Sequence, residues 1–299
     1  MIIIGAGPAG ISAALYAVRG NLDPLVINNG IGALEKAEKI ENYYGLEHPL
    51  SGQELYDTGI AQAKALGVRM LDAQVLGVGG FDTFVVKTTE GEFETQSLIL
   101  ATGSRRAAPK IPGVKEFEGK GVSYCAICDA FFYRGKDVAV LGNGDFAMHE
   151  AKELSNTAST VTIYTNGEEP EFTPEGNISV NTMKIQSVEG DDLVSGIRLA
   201  PDIQAQEMNA DAGQQANDFC PAAGVFIAMG TAGSTEIARQ MGADLTEKGN
   251  IKVDENMETT IPGLYAAGDC TGGLLQVAKA VYEGAQAGIN AGKYVRSLK

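Results

Sequence analysis

Several features that would decide a function are missing from this 299-residue chain. Histidine occurs twice, at His48 and His149, and cysteine four times: one Cys-x-x-Cys pair and two solitary residues, Cys220 and Cys270. Zinc would need two further matched ligands beside the pair, and there is no second Cys-x-x-Cys to supply them, so no metal is expected. Four cysteines in so long a chain do not make a secreted disulfide framework either. No apolar run approaches the ~20 residues of a membrane span. The opening Met1–Ile4 is apolar but runs at once into Gly5-Ala6-Gly7-Pro8. It has neither a basic leader nor a long apolar segment, so it does not read as a secretory signal, and a cytoplasmic protein is expected. Positive charge is short as well. Lys and Arg number 23 against 38 Asp and Glu, a net charge of −15. Nucleic acid and anionic membranes need clustered cations, and both are excluded as main partners.

What the chain has in plenty is glycine, 38 residues without a collagen period, which points to tight turns and close backbone approaches to ligands. Residues 1–28 read as strand, glycine turn, helix (Ser12–Arg19) and strand (Pro24–Ile27), the pattern of a βαβ unit. A helical period covers 53–67, and Phe84–Val86 and Ser97–Ala101 read as strands. After a punctuated linker at Pro109–Gly113 the pattern restarts: strand Asp137–Leu141, turn Gly142-Asn143-Gly144, helix Phe146–Leu154, strand Val161–Tyr164. Residues 201–223 read as a polar loop, and the chain closes on a strand, Gly263–Ala267, and a helix, Gln276–Tyr294. The expectation is an α/β protein of two Rossmann-like, three-layer dinucleotide-binding domains, the second inserted into the first. The boundaries implied are 1–111 and 224–299 for the first domain and 112–223 for the insert.

Gly5-Ala6-Gly7-Pro8-Ala9-Gly10 has the Gly-x-Gly-x-x-Gly form between strand and helix. Its first glycine permits the turn, its second lets backbone approach a pyrophosphate, and its third allows helix packing, while the helix N-terminus adds partial positive charge. The acid that usually meets the ribose ~20 residues on is replaced by Asn28-Asn29, so Asn28 is the ribose candidate. The segments Ile99-Leu100-Ala101-Thr102-Gly103 and Tyr265-Ala266-Ala267-Gly268-Asp269 are strands ending in Thr-Gly and Gly-Asp. Cys125-Ala126-Ile127-Cys128 sets two thiols three apart. A helical turn puts them on one face within bridging reach, and this spacing favours thiolate exchange.

Taken together, these segments resemble the FAD domain of two-dinucleotide-domain flavoproteins. Cys125-Ala126-Ile127-Cys128-Asp129-Ala130-Phe131-Phe132-Tyr133-Arg134 and Ile40-Glu41-Asn42-Tyr43-Tyr44-Gly45 resemble the low-molecular-weight thioredoxin reductases, in the right order through nearly the whole chain. The resemblance implies an FAD-dependent enzyme that reduces the disulfide of thioredoxin, and a homodimer. It implies an FAD site made by Gly5, Gly7, Pro8, Ala9, Gly10, Asn42, Ala101, Thr102 and Gly103, with Asp269 after Gly268 on the ribityl chain. Gln276 and Val277 would face the flavin ring, where the helix dipole stabilises negative charge. Cys128 would receive electrons from the flavin, Cys125 would attack the thioredoxin disulfide, and Asp129 would move the proton if partial burial raises its pKa.

The chain departs from that pattern where NADPH should bind. The second glycine motif is kept as Gly142-Asn143-Gly144-Asp145-Phe146-Ala147, but Phe146 replaces a small residue and would crowd a pyrophosphate. The strand Val161–Tyr164 should run into His-Arg-Arg, which holds the 2′-phosphate. Here it runs into Thr165-Asn166-Gly167, then Glu168, Glu169 and Glu171, and Pro170 and Pro174 leave no room for the family's helix. Two lost charge-assisted bonds cost roughly 3–6 kcal/mol, about two to four decades of affinity. The closest resemblance is therefore to the ferredoxin-dependent flavin thioredoxin reductases, which lack the NADPH site. A ferredoxin at about −400 mV against a thioredoxin at about −270 mV releases roughly 6 kcal/mol for two electrons. Ferredoxins are acidic, so docking calls for a basic patch, with Arg105, Arg106, Lys110, Lys115 and Lys120 as candidates. Three alternatives stay open: an NAD(P)H-dependent reductase with Asn166 beside the ribose, a second flavin in the inserted domain, and a non-enzymatic flavin redox sensor. Cys270 reads as a small buried residue, and Cys220 carries no assignment.

Overall fold

The computed structural model describes residues 1–80, 82–103, 109–176, 178–201, 218–229 and 233–298, without the side chains of Ile127 and Cys128. Along the chain it begins with β1 (Ile2–Ile4), α1 (Pro8–Arg19), β2 (Leu25–Asn28), α2 (Gly52–Ala65) and β3 (Arg69–Asp72). Next come β4 (Val75–Gly79), β5 (Phe84–Thr88), β6 (Gly91–Thr95) and β7 (Leu98–Leu100). There follow β8 (Val122–Ser123), α3 (Ala126–Asp129), β9 (Asp137–Leu141), α4 (Asp145–Ser155), β10 (Thr160–Tyr164) and β11 (Ile178–Asn181). The rest is β12 (Ile185–Gly190), β13 (Val194–Leu199), β14 (Phe219–Pro221), β15 (Gly224–Ile227), α5 (Ser234–Gln240), β16 (Leu264–Ala266) and α6 (Val277–Ser297). Helix α1 starts four residues before Ser12. Pro8 sits in its first turn, where a missing N–H costs nothing and φ is already helical. Helix α2 is opened by a capping box: Glu54 N donates to Ser51 Oγ at 3.2 Å and Ser51 N donates to Glu54 Oε2 at 2.8 Å.

Two compact units result, Met1–Arg106 with Ala232–Lys299, and Ala107–Thr231. Each has a five-stranded sheet in which every pairing is parallel, ordered β16-β7-β1-β2-β3 in the first and β11-β10-β9-β15-β8 in the second. Each also has a three-stranded antiparallel sheet, β4-β5-β6 and β12-β13-β14. Two dinucleotide-type folds, one carried within the other, are therefore present. Both domain boundaries and one loop differ from the sequence reading. The first segment ends at Arg106, not at 111. The return to the first unit falls after Thr231, not at 224, because β15 pairs with β9 and β8 inside the second sheet. The stretch 201–223 is not all loop: residues 202–217 lie outside the described residues, but Phe219–Pro221 is a strand paired with β13.

The parallel sheets are buried on both faces, so their strands read as continuous apolar runs. Ile2–Ile4 and Leu98–Leu100 are wholly buried, and each such side chain contributes about 1.5–3 kcal/mol. The first core gathers Ile3, Ala13, Val26, Ile99, Tyr265 and Ala287, and the second Val122, Leu141, Ile197, Val225 and Ile227. Helices α1 and α6 pack almost backbone to backbone. A Cβ on Gly284 would stand 2.0 Å from Ala9 O, and one on Gly288 2.3 Å from Ala13 O. That closeness brings the N-terminal ends of both helices to the carboxyl edge of the first sheet.

Candidate functional site

In an open parallel sheet, ligands bind beyond the carboxyl ends of the strands where the strand order reverses. In the first unit that point lies between β1 and β7. A cavity of about 340 Å³ opens there. It is lined by Gly7, Pro8 and Ala9 after β1, by Ile31–Leu34 after β2, by Ala101, Thr102 and Gly103 after β7, and by Gly268 and Asp269 after β16. Asn42, Gln276 and Val277 complete the wall. Eleven sequence-predicted residues thus meet at one cavity. Gly5 and Gly10 stand behind the lining and shape the turn. A Cβ on Gly10 would be 1.8 Å from Gly5 O, and one on Gly5, at φ +107°, 2.4 Å from Ala101 O. A Cβ on Gly7 would meet nothing within 4 Å, so its backbone faces open space.

Asn28 is the exception. It does not line the cavity, and its side-chain amide is spent elsewhere: Nδ2 donates to Asp72 at 2.7 Å and Oδ1 accepts from Tyr56 at 2.8 Å. Residues 31–34 after β2 take the place at the cavity that Asn28 had been given. They were missed because Ile31-Gly32-Ala33-Leu34 carries no polar signature.

Hydrogen bonds between distant segments hold the cavity walls. Thr102 and Ser234 are joined three times. Thr102 N donates to Ser234 Oγ at 3.0 Å, Ser234 N donates to Thr102 Oγ1 at 2.8 Å, and the two hydroxyls are 2.7 Å apart. Asn42 Nδ2 donates to Gln276 Oε1 at 3.0 Å. Beneath the Gly268–Asp269 turn lies an ion pair absent from the sequence reading, Lys279 with Glu283 at 3.0 Å, the two side chains 15% and 12% exposed. Lys279 Nζ also donates to Gly268 O at 2.7 Å and Gly272 O at 2.6 Å, while Glu283 Oε2 accepts from Gly268 N at 2.9 Å. Burial raises the pKa of Asp269 above the usual carboxylate value, and Lys279 pulls it back. Cys270 is 1% exposed and its thiol donates to Ala267 O; burial pushes its pKa up to about 12, an inert packing residue.

The equivalent place in the second unit is built differently. Its turn Gly142-Asn143-Gly144 opens α4 after β9, as the first turn opens α1. The segment after β10 folds back over it. Glu171 N donates to Asn143 O at 2.7 Å, and Lys152 pairs with Glu175 at 2.8 Å. Glu171 Oε2 lies 3.9 Å from where a Cβ on Gly144 would be. Asn166, a ribose candidate, has φ +56° and its Oδ1 accepts from Ile185 N at 2.9 Å, so it caps β12 instead. Phe146 is 3% exposed, its ring taken into the protein rather than standing in the turn.

The cysteine pair follows β8, at the edge of this second sheet. Cys125 is disulfide-bonded and 3% exposed, whereas Cys220 and Cys270 are free. The side chain of Cys128 lies outside the described residues. Ser123 Oγ organises the turn, accepting from Cys125 N at 3.1 Å and donating to Asp129 Oδ2 at 2.6 Å. A second carboxylate, overlooked in the sequence, reaches the same turn: Ala126 N donates to Glu150 Oε2 at 2.7 Å. Just beyond, Phe131 and Phe132 are 70% and 69% exposed, with the Arg134 guanidinium 5.4 Å from the Phe131 ring centroid. Of the predicted basic patch, Lys110, Lys115 and Lys120 are exposed, with Glu116 and Glu118 among them; Arg105 and Arg106 lie outside the described residues. No described helix is long and apolar enough to cross a membrane, and no described cluster of His, Cys, Asp and Glu could hold a metal ion.

Comparison with known proteins places this geometry. The model of the pyridine nucleotide-disulphide oxidoreductase family matches residues 1–284. A thioredoxin reductase of Aquifex aeolicus is 36% identical over 284 residues, covering 90% of this chain and 84% of that one. Among solved structures, the atypical thioredoxin reductase of Desulfovibrio vulgaris Hildenborough matches with a TM-score of 0.87 and 39% identity, covering 99% of this chain and 97% of that one. A ferredoxin-flavin thioredoxin reductase of Clostridium acetobutylicum matches with a TM-score of 0.68 and 29% identity, covering 99% and 97%.

Proposed function

The chain belongs to the pyridine nucleotide-disulphide oxidoreductase family, and from that premise we propose that it reduces the disulfide of thioredoxin with electrons from a ferredoxin-type protein rather than from NADPH. Membership and its thioredoxin reductase relatives make it an FAD-dependent flavoprotein oxidoreductase.

The first unit fits FAD. The open backbone at Gly7 and the start of α1 suit a pyrophosphate, since the first-turn N–H groups have no intrahelical partner. Asp269 offers a carboxylate to a ribityl hydroxyl. Gln276 and Val277 present the N-terminus of α6, whose dipole favours negative charge. Bound there, FAD supplies a centre able to take electrons singly and pass them on in pairs. Thr102–Ser234 and Lys279–Glu283 hold the walls in place.

In the second unit, reduction opens the Cys125–Cys128 disulfide. Cys125 then attacks one sulfur of the partner disulfide, forming a mixed disulfide and releasing the other sulfur as a thiolate. Cys128 attacks Cys125, freeing the partner and closing the pair again, so two electrons have moved to the partner. Asp129, held by Ser123, is placed to carry the proton. The exposed Phe131 and Phe132 beside the pair suit contact with a protein surface.

The observation that carries the choice of donor is Glu171. A nicotinamide dinucleotide would lay its pyrophosphate on Gly144, and a carboxylate already stands there. Between β10 and β11 the sequence has no Lys or Arg to receive a 2′-phosphate. The stem of Lys184 packs on Gly167 of that turn, a single cation where the family pattern has two arginines. The test is anaerobic mixing of the flavoprotein with NADPH, NADH and reduced ferredoxin in parallel, reading flavin absorbance. Ferredoxin alone should bleach it; rapid bleaching by either nicotinamide overturns the reading.

A further inference from the structure

We infer that Glu150 is a positioning residue of the disulfide: its carboxylate grips the amide N–H that follows Cys125, fixing the turn that carries the pair and opposing ionisation of the reduced thiol. The inference rests on Cys125 exchanging with a protein disulfide, and it is independent of the electron donor.

Glu150 lies in α4, which packs against α3, and is 1% exposed. Its Oε2 accepts from Ala126 N at 2.7 Å, while the buried Oε1 has no partner among the described residues. A carboxylate buried so deeply is costly, and one hydrogen bond does not offset that cost. Burial accordingly lifts its pKa to about 7, against the pull of the Ala126 bond, and Glu153 one turn on lifts it further. The group therefore changes charge in the range where thiol exchange operates.

Its surroundings offer little to compensate. The turn whose Ala126 N–H it accepts also carries Cys125 and Asp129, the latter engaged with Ser123. On its own helix the nearest charged or titratable residues in sequence are His149, Lys152, which pairs with Glu175 at 2.8 Å, and Glu153. From β9 comes Asp137, bound by Thr160, from β10 Tyr164, and from β11, Ile178–Asn181, nothing that titrates. The consequence for Cys125 follows from charge. In a Cys-x-x-Cys turn the first free amide N–H groups stabilise the thiolate. Here the N–H next after Cys125 is committed to a carboxylate, and ionised Glu150 adds a like charge beside any thiolate that forms.

The experiment reads Cys125 itself, without thioredoxin or an electron donor. The holoprotein is reduced with a phosphine and pulsed with iodoacetamide across pH 5.5 to 9.5, and modification at Cys125 is counted by peptide mass spectrometry. The wild-type profile should rise in two steps, one set by Glu150 near neutrality and one by the thiol. Glu150→Gln keeps an acceptor for Ala126 but no charge. It should give one step, displaced to lower pH, with modification at pH 7.5 faster by roughly three- to tenfold. A single-step wild-type curve overturns the inference, whatever the fate of the variant; so does a Glu150→Gln curve that superimposes on the wild type. Loss of thioredoxin turnover from another cause leaves this titration unchanged, so the two readings fail separately.

Discussion

Glu171 Oε2 stands 3.9 Å from the position that a Cβ on Gly144 would occupy. The second glycine of a dinucleotide turn is where backbone must come close to pyrophosphate, and here the protein's own carboxylate holds that ground. Glu171→Ala should therefore raise the affinity of the second unit for pyrophosphate-bearing nucleotides by about tenfold, the effect of removing one like charge. NADPH and NADH should gain equally, because no cation is created to read the 2′-phosphate. Calorimetric titration of each nucleotide into the variant checks both statements.

Gly7 and Gly10 separate binding from folding. Gly7→Ala has open space for its methyl, so thermal stability of the flavin-free protein should be unchanged while flavin affinity falls. Gly10→Ala drives a Cβ to 1.8 Å from Gly5 O, so it should lower the melting temperature of the flavin-free protein as well. Scanning calorimetry beside a flavin-release assay distinguishes the two. Equal loss of stability in both variants would contradict the placement of the turn.

Breaking the Lys279–Glu283 pair on one side leaves a buried charge uncompensated. Lys279→Met should cost on the order of 3–5 kcal/mol of stability and speed flavin loss through the Gly268–Asp269 turn. The double change Lys279→Met with Glu283→Leu should recover a good part of that. Denaturant unfolding of the three proteins gives the comparison.

Glu150 makes stability depend on pH in a direction opposite to ordinary acid denaturation. Its pKa is about 7 in the folded protein against 4.5 for a free side chain. Between these values the native state holds one proton more than the unfolded chain, so stability falls as pH rises through the window. Above about 7 the penalty is complete, on the order of 3 kcal/mol. Glu150→Gln should accordingly be more stable than the wild type at pH 8, with the difference vanishing towards pH 5. Urea midpoints at the two pH values measure it.

These particulars also mark how far the sequence could be read. The turn Gly5–Gly10, the strand ends at Thr102 and Asp269, and the Cys125 segment each declare themselves within six residues, since their chemistry is local. What escaped depends on distant partners. Asn28 looked free to meet a ribose until folding placed Asp72 and Tyr56 against it, 44 and 28 positions away. Glu150, Lys279 and Glu283 sit in helices among other polar residues, where a charge reads as solvent-facing; only packing reveals them as buried. The second domain boundary was placed too early because β15 is apolar enough for either sheet, and only its pairing with β9 and β8 assigns it.

The most direct test of the whole account is electron delivery to thioredoxin from ferredoxin-reduced protein. Wild-type protein should reduce thioredoxin at a rate that follows ferredoxin supply. Cys125→Ser and Cys128→Ser should abolish that turnover while their flavin still bleaches with ferredoxin. Full turnover by either variant, or turnover sustained by NADPH without ferredoxin, would contradict it.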